Sequence, residues 1–289
     1  MTDSDIQHTA VQKLLIEEDQ ADQRIDNFLL NYLKGVPKTR IYKMLRKGEV
    51  RVNGGRIKAP YRLKAGDQLR IPPVHQQPRA IGPSAALNDV KQLERQIVYE
   101  SDLLIVLNKP KGMAVHGGSG LSFGVIEAMR SLRPDQKYLE LVHRLDRETS
   151  GCLLIAKRRS TLRYLHQQLR ERQINKIYHA IVAGHWPETI KSINTALEKS
   201  ILKSGERISV VSELGKPSLT RYKVLNTYAD CSLVEARPST GRTHQIRVHC
   251  ASSGFPICGD KRYDINNISP FNDRLYLHAQ SIQFKETLD

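Results

Sequence analysis

The chain of 289 residues lacks any apolar run near the roughly 20 residues that a membrane-spanning helix needs. Residues 1–12 contain neither the basic segment nor the apolar segment of a secretory signal. The four cysteines are scattered, with no Cys-x-x-Cys pair, which argues against a zinc ribbon and against a disulfide framework. We therefore expect a cytoplasmic protein with reduced thiols and no membrane association.

Positive charge is what the sequence has in excess. Lys and Arg number 45 against 30 Asp and Glu, which gives a formal net charge of +15. The excess is concentrated, because residues 21–71 hold 13 Lys and Arg but 4 Asp and Glu. A field of this sign favours a polyanionic partner, above all nucleic acid, over a small neutral substrate. A basic protein without such a partner is the alternative that composition alone leaves open.

The length and the distribution of residue types predict two domains. The basic segment ends at Pro72-Pro73, and the stretch that follows, residues 74–88, is rich in Pro, Gln and Ala without a clear periodicity. We predict a small domain at 21–73, a linker at 74–95 and a larger domain at 96–289.

The small domain is predicted to contain two helices and a hairpin. Ile25, Phe28, Leu29 and Tyr32 recur at helical spacing, and a second helix fits Lys38–Lys47. A hairpin at 49–58 turns at Asn53-Gly54-Gly55, and a last strand covers 68–71. The exposed side of the second helix would hold five cations that repel one another unless an anion is present: Lys38, Arg40, Lys43, Arg46 and Lys47.

The larger domain alternates predicted strands with one long helix. That helix is expected to start at an N-cap, Ser160, and to run to Gln173. The apolar runs predict strands at 97–99, 103–108, 138–145, 151–157, 176–183, 220–225, 232–237 and 275–284. The fold class is therefore α+β, with a mixed, mainly antiparallel sheet and flanking helices, beside the small α/β domain.

Two charged runs stand out. The first, residues 143–151, lies between two apolar strands and contains Asp146, which is either part of a solvated hairpin or a catalytic group at a sheet edge. In the second, residues 239–250, Thr243 can N-cap a short helix that ends at Gly254. Arg247 would then face small side chains and need an anion. A surface glutamate or a backbone carbonyl could serve, or Asp146 could form a bidentate pair that keeps the acid ionised.

A third candidate is Tyr178, in the predicted strand 176–183. Strand alternation places it on one face with Ala180 and Val182. Most tyrosines in such positions are core residues. The alternative is an aromatic surface against which an extruded base stacks, with a hydroxyl available for proton transfer.

Two resemblances follow from these motifs. Residues 21–73 resemble the S4 RNA-binding domain through Arg24-Ile25-Asp26-x-Phe28-Leu29, Gly48-x-Val50-x-Val52-Asn53-Gly54 and Gly66-Asp67. Residues 98–284 resemble the RluA family of pseudouridine synthases through His143-Arg144-Leu145-Asp146 with Thr149-Ser150-Gly151, then Lys176-x-Tyr178, then Gly241-Arg242-Thr243-His244-Gln245-Ile246-Arg247-Val248-His249.

The family resemblance implies a function and a set of roles. It implies that large-subunit (23S) ribosomal RNA is the substrate, that no metal or small-molecule cofactor is needed, and that the protein acts as a monomer. Asp146 would be the catalytic aspartate, Tyr178 would stack on the target base and move a proton, and Arg247 would pair with Asp146. Arg144 would enter the RNA stack in place of the flipped uridine. Family members usually continue past the last strand, so we interpret the end at Asp289 as a shortened C-terminus.

Two other functions remain open from the sequence. A non-catalytic RNA-binding or ribosome-assembly factor could use the same basic module and a degenerate larger domain. An RNA glycosylase or nuclease could use the same acid. New pseudouridine, free uracil or cut strands would distinguish these functions from one another.

Overall fold

The computed structural model describes residues 7–8, 10–33, 35–76, 83–84, 86–118, 123–201 and 207–285. The chain divides into two units, Met1–Ile81 and Gly82–Asp289. Within the predicted linker, residues 77–82 and 85 lie outside the described part, as do residues 286–289 at the C-terminal end. No helix in the described ranges has the length and the apolar character that crossing a membrane requires.

The first unit contains two helices beside a small antiparallel sheet. Its elements are β1 (Gln7–His8), β2 (Gln12–Leu15), a 3-10 turn (Glu18–Gln20), α1 (Ile25–Tyr32), α2 (Lys38–Lys47), β3 (Arg51–Val52), β4 (Gly55–Arg56), β5 (Gln68–Ile71) and β6 (His75–Gln76). The main sheet has the order β2-β5-β3-β4, and β1 pairs with β6. This sheet therefore includes β2, which lies upstream of residue 21.

The two helices of this unit form where the apolar spacing predicts them. Ile25 and Leu29 of α1 and Ile41 and Met44 of α2 are buried in one core. Helix α2 ends at Gly48, whose left-handed backbone (φ 69°) suits a residue without a Cβ atom. The hairpin strands are shorter than predicted, because two residue pairs join β3 to β4.

The second unit is built on a long sheet. Its elements are α3 (Asn88–Glu94), β7 (Ile97–Glu100), β8 (Leu104–Lys109), α4 (Val125–Leu132), β9 (Glu140–Leu141), β10 (Ser150–Ala156), α5 (Arg159–Arg170), β11 (Asn175–Ala183), β12 (Ser192–Ile201), β13 (Arg207–Val211), β14 (Lys216–Thr227), β15 (Cys231–Pro238), α6 (Gln245–Ser252) and β16 (Leu277–Gln283).

The sheet is mixed and mainly antiparallel, as predicted. Its order is β13-β12-β14-β15-β11-β16-β10-β8-β7, with β9 beside β10, and the pairing of β10 with β16 is parallel. Strands β8 and β10 pack against helices on both faces, which explains why they are nearly continuous apolar runs. Helices α3 and α4 cover one face, α5 covers the other, and α6 packs against β11, β14 and β15.

The contact between β10 and β16 consists of two residue pairs, Ser150 with His278 and Gly151 with Ala279. Gly151 has a φ of 109°, and a Cβ atom there would overlap the carbonyl group of Ala279. This position therefore requires glycine for both its backbone conformation and its space. The Ser150 hydroxyl also lies 2.9 Å from Nδ1 of His278.

Several predictions of local structure were wrong. Helix α5 starts at Arg159, so Ser160 lies inside its first turn and does not cap it; β10 leads into the helix through two residues. Of the strand predicted at 138–145, Glu140–Leu141 pairs with β10, and the remaining residues form loops. The elements α3, α4, β12 and β13 were not predicted.

Candidate active site

A cleft of about 1010 Å³ in the second unit brings the predicted site residues together. Among its described lining residues, Asp146 is the one carboxylate. Eight cations line the same cleft: Arg144, Arg170, Arg172, Lys176, Arg221, Arg237, Arg242 and Arg247. Arg237 and Arg247 are paired with Glu235 and Asp260 outside the lining, and the remaining excess of cations over the one carboxylate makes the cleft positive, which suits a nucleic acid substrate.

Asp146 lies on the turn between β9 and β10. The preceding residue, Leu145, is buried in the core beneath the turn, and the amide of Thr149 donates a hydrogen bond to the carbonyl of Asp146. The Asp146 side chain keeps about a quarter of its surface exposed, at 28%. The turn thus fixes the backbone of the acid while leaving its carboxylate accessible from the cleft.

A buried lysine holds this turn in place. Lys109, at the end of β8, is fully buried, and its Nζ donates hydrogen bonds to the carbonyls of Pro110 (2.8 Å), Met113 (2.8 Å) and Arg147 (3.0 Å). Burial lowers the pKa of Lys109 to about 8, against the opposing effect of the charges on Glu148 and Asp146. The residue next to Asp146 is therefore tied to the end of a core strand. The sequence analysis missed Lys109, because its partners are carbonyls that no motif reveals.

Arg247 is buried in α6, as expected, but its main partner is not the predicted one. Nε and Nη2 each lie 2.7 Å from the carboxylate of Asp260, and Nη1 lies 3.5 Å from Oδ2 of Asp146. The prediction of a bidentate pair with Asp146 is therefore wrong. Asp260 holds the guanidinium and the catalytic candidate receives one long contact. Asp260 lies on the loop after α6, and this loop folds back so that Asp260 contacts the helix. The spacing of residues within the motif does not predict this contact.

The electrostatics of this pair favour a permanent charge on Arg247. Burial lowers the pKa of Arg247, but the hydrogen bonds and the negative charge of Asp260 outweigh it, so the pKa is raised overall. Both side chains are almost inaccessible, with exposures of 6% for Arg247 and 0% for Asp260. A buried ion pair of this geometry fixes the direction in which the remaining N–H groups of Arg247 point.

His244 is a second neighbour of Asp146 that the sequence analysis did not select. Its Nε2 lies 3.8 Å from Oδ2 of Asp146, and its Nδ1 lies 2.7 Å from the hydroxyl of Tyr263. His244 occupies the N-cap position of α6 with a left-handed backbone (φ 53°). The predicted N-cap at Thr243 is therefore wrong.

The loop before α6 is held by a glutamine rather than by a capping hydroxyl. Oε1 of Gln245 accepts hydrogen bonds from the Thr240 hydroxyl (2.7 Å) and the Arg242 amide (3.0 Å). Its Nε2 donates to the carbonyl of Leu219 and to the hydroxyl of Thr220. Gln245 thereby ties the loop to β14, and this connection places His244 and Arg247 at the cleft.

Tyr178 contacts the core and also faces the cleft. It is half-buried on β11, packs against two core clusters and lines the cleft. Burial raises the pKa of Tyr178 far above its ordinary value, and the charge of Asp146 raises it further. Its hydroxyl has no hydrogen-bond partner among the described residues. A β-bulge beside Ile177 shifts the register with β16, so simple alternation does not hold at this point of the strand.

The predicted RNA-contacting cations differ in their surroundings. Arg144 is exposed at the cleft and makes no ion pair within the described ranges. On α2, Lys38, Lys43, Arg46 and Lys47 are exposed and likewise unpaired there. Arg40 is different, because its guanidinium lies 2.8 Å from the carboxylate of Glu49. Its charge is therefore already balanced within the unit.

Two histidines of the motifs have structural contacts. Nε2 of His143 accepts a hydrogen bond from the amide of Leu154, and burial lowers the pKa of His143 to about 4. His249 is fully buried between the hydroxyls of Ser218 (2.8 Å) and Thr220 (3.0 Å), and burial lowers its pKa to about 4. Neither is charged at neutral pH. The described residues contain no cluster of three or more His, Cys, Asp or Glu that could hold a metal ion.

Comparison with known protein families gives two matches. A model described as RNA pseudouridylate synthase matches residues 103–252, and an S4 domain model matches residues 23–69. The chain belongs to the RNA pseudouridylate synthase family. Asp146, Tyr178 and Arg247 of this synthase lie inside the matched region, whereas Asp260 and Tyr263 lie beyond it.

Individual relatives extend the similarity over almost the whole synthase. It is 56% identical to the ribosomal large subunit pseudouridine synthase C of Pasteurella multocida, over 98% of this chain and 89% of the relative. It is 54% identical to the protein of that name from Escherichia coli K12, over 95% of this chain and 89% of that relative. Among solved structures, human RNA pseudouridylate synthase domain containing 4 superposes with a TM-score of 0.55 at 27% identity, covering 67% of this chain and 85% of that one.

Proposed function

We propose that this synthase isomerises selected uridines to pseudouridine in large-subunit (23S) ribosomal RNA, with Asp146 as the catalytic carboxylate. The observation that carries the proposal is the position of Asp146, which is the one acid among the described lining residues of a cleft that holds eight cations. The relatives that are 54–56% identical are named for the large ribosomal subunit, and this supports the choice of RNA.

The reaction rearranges bonds within one nucleotide. The bond between C1′ and N1 breaks, the uracil rotates, a bond forms between C1′ and C5, and the proton on C5 is lost while N1 gains one. Atoms and electrons balance without an external donor. The Asp146 carboxylate either attacks C1′ or removes a proton from the sugar so that a glycal forms, and both routes need an ionised acid in a closed pocket.

The neighbouring residues fit supporting roles. Tyr178 lies in the cleft wall with an apolar ring and a hydroxyl that makes no hydrogen bond in the described part of the chain, which suits stacking on the flipped base and movement of a proton. Arg247 positions Asp146 through its contact with Oδ2. Arg144 is exposed at the cleft, where its side chain can fill the gap that the flipped uridine leaves in the RNA stack.

The first unit supplies affinity in this proposal. The exposed, unpaired side chains of Lys38, Lys43, Arg46 and Lys47 can contact RNA phosphates, whereas Arg40 is paired with Glu49. We also propose that the protein acts in the cytoplasm. A monomer without a metal or an organic cofactor would suffice, because one cleft of one chain brings together the acid, the aromatic ring and the cations that the isomerisation uses.

The decisive experiment replaces the acid by its uncharged isostere. Asp146→Asn should abolish pseudouridine formation in unmodified 23S RNA while RNA affinity at a fixed salt concentration stays within about threefold, because the phosphate contacts remain. Pseudouridine is measured by carbodiimide labelling and primer extension, and affinity by filter binding. Asp135→Asn, which changes an exposed acid of the same unit, is the matched control and should keep full activity.

Three outcomes would contradict the proposal. Full activity of Asp146→Asn would exclude Asp146 as the catalytic residue. Absence of new pseudouridine with the wild type would favour a non-catalytic RNA-binding factor. Release of free uracil or cleavage of the RNA strand would indicate a glycosylase or a nuclease.

A further inference from the structure

We infer that Tyr263 and His244 form a hydrogen-bond relay that directs the Nε2–H group of His244 toward Asp146, which makes His244 a positioning residue for the catalytic carboxylate. The inference rests on the proposed role of Asp146. It assigns a task to two side chains of the cleft region, one of which, Tyr263, lies outside the part of the chain that the family model matches.

The relay starts at a backbone amide. The N–H group of Ser209 donates to the Tyr263 hydroxyl oxygen at 3.0 Å, and that oxygen lies 2.7 Å from Nδ1 of His244. These are the two partners of the hydroxyl among the described residues. The amide can only donate, so the proton of the Tyr263 hydroxyl is free to be donated to Nδ1. In this arrangement the Ser209 amide, the Tyr263 hydroxyl and Nδ1 of His244 each have a hydrogen-bond partner. Nδ1 of His244 is therefore the acceptor.

The acceptor role of Nδ1 determines the tautomer. A neutral imidazole carries a single N–H group, and when Nδ1 accepts a hydrogen bond that group must be Nε2–H. Burial lowers the pKa of His244, and the positive charges of Arg247 and Arg262 act in the same direction, against Asp146 and Asp260. The ring is thus neutral near pH 7, with its one proton on the side of Asp146.

Two donors converge on one oxygen of the acid. Nε2 of His244 lies 3.8 Å and Nη1 of Arg247 lies 3.5 Å from Oδ2 of Asp146, while Oδ1 has no hydrogen-bond partner in the described part of the chain. Distances of this kind are typical of a free enzyme whose hydrogen bonds shorten when substrate binds. In this arrangement Oδ2 faces His244 and Arg247, whereas Oδ1 is available to react with the nucleotide.

Tyr263 also fixes the geometry of both donors. Its ring meets the imidazole of His244 edge-on, with centroids 5.6 Å apart, and the guanidinium carbon of Arg247 lies 5.1 Å from the same ring. His244 keeps a left-handed backbone (φ 53°), a conformation that costs free energy and that its surroundings must impose. Tyr263 is the residue in contact with both neighbours of Oδ2.

A pair of substitutions separates the relay from a structural role. His244→Gln places an amide nitrogen where Nε2 was and can still donate to Asp146. His244→Asn places an amide where Nδ1 was, so it can meet Tyr263 but not the acid. Asparagine also tolerates the left-handed backbone better than glutamine, so a purely structural role predicts the opposite order of activities. We expect Asn to lower kcat by roughly 10- to 100-fold and Gln by less than about 5-fold, with KM for RNA unchanged.

A spectroscopic measurement tests the tautomer without relying on activity. In protein with 15N-labelled histidine, His244 should show the Nε2–H tautomer in the wild type. Tyr263→Phe removes the proton donor, so His244 should shift toward a mixture of tautomers. The matched control Tyr228→Phe, at an exposed tyrosine, should leave the His244 signals unchanged. Thermal unfolding of each variant shows that the fold persists.

The outcomes distinguish the relay from the proposed function. Activity of the Asn variant equal to or above that of the Gln variant, with an active wild type, would overturn the relay alone. A wild-type His244 signal with the proton on Nδ1 would do the same. A wild type that forms no pseudouridine would overturn the proposed function, while the tautomer measurement would still decide which nitrogen carries the proton.

Discussion

Cations in the two units of the chain occupy opposite environments. On α2, Lys43, Arg46 and Lys47 are exposed and have no ion pair in the described residues, so their charge is available to any phosphate that approaches. In the cleft, Arg247 is buried and held by Asp260 at two points. An exposed cation attracts an anion from many directions. A buried ion pair holds its side chains in one orientation, and the stability of the fold then depends on that pair. The cations of α2 are placed to attract an anion, whereas the charge of Arg247 fixes the position of a side chain.

The largest effect is expected where the buried pair is broken. Asp260→Ala leaves the Arg247 guanidinium buried without its bidentate partner, which should lower the free energy of unfolding by about 3–5 kcal/mol. Denaturation in urea, followed by the fluorescence of Trp186 in the core of the second unit, measures the change. The exposed Asp230→Ala is the control, with an expected change within about 0.5 kcal/mol. Equal stability of the two variants would show that the pair does not contribute to the fold.

A smaller loss of stability is expected when the pH is lowered, and it should differ between the two units. Burial holds the folded pKa of His143 and His249 at about 4, below the ordinary 6.5. Between those values the unfolded chain binds more protons, so stability is lost as the pH falls from 6.5 toward 4. Each histidine should cost about 2 kcal/mol between pH 7 and pH 5. His249→Gln should flatten the dependence of the unfolding free energy on pH, whatever its effect on stability at pH 7.

The first unit has a different acid response. The hydrogen bond from Arg24 lowers the pKa of Asp26, despite the opposing effect of burial. A lowered acid pKa contributes stability above the ordinary value of 3.8, and that stability is lost as the pH falls through the folded pKa. The first unit should therefore keep this contribution at pH 5, where the second is already weakened. Loss of structure in both units between pH 6.5 and 5 would contradict the contrast.

The smallest effect on stability is expected on α2. Replacing Lys43, Arg46 and Lys47 by glutamine should change the free energy of unfolding by less than about 0.5 kcal/mol per site. The dependence of RNA binding on salt should flatten by roughly 0.7 log unit for each phosphate of single-stranded RNA that the variant no longer neutralises. Arg40→Gln is the control, because Glu49 already balances that charge, and its salt slope should barely change. An unchanged slope in the triple variant would exclude this face from RNA binding.

The sequence predicted those features that local periodicity determines. The limits of α2 at Lys38 and Lys47 were correct, because an apolar stripe and a terminal glycine define a short amphipathic helix. The mixed sheet and its central strands were also predicted, since runs buried on both faces are distinctive. In the site, Asp146, Tyr178 and Arg247 lie around one cleft, as the motifs implied.

The features that were missed depend on contacts distant in sequence or on unusual backbone. Asp260 reaches Arg247 through a loop, and Lys109 is satisfied by carbonyls, which are present at every residue. Thr243 has the side chain of a helix cap, but the hydrogen bonds of Gln245 determine that loop instead. Tertiary contacts prevailed over local preference in each case. A buried cation implies an acid nearby, and the pair Gly259-Asp260 after α6 could have suggested where to look.

The two residue pairs between β10 and β16 have a consequence for how mutations act. Asp146 belongs to the turn that precedes β10, whereas Tyr178, Arg247 and Asp260 belong to the part of the unit that includes β16. The acid and its partners thus lie on opposite sides of this two-pair ladder, which is reinforced by the packing of Ile282 and Phe284 on the core of β10 and by the hydrogen bonds between Gln168 and Lys285. A methyl group at Gly151 would overlap the backbone of Ala279, so the two strands would have to shift and the distance from Asp146 to Arg247 would change. A substitution outside the cleft wall, with every catalytic side chain intact, would then inactivate the enzyme.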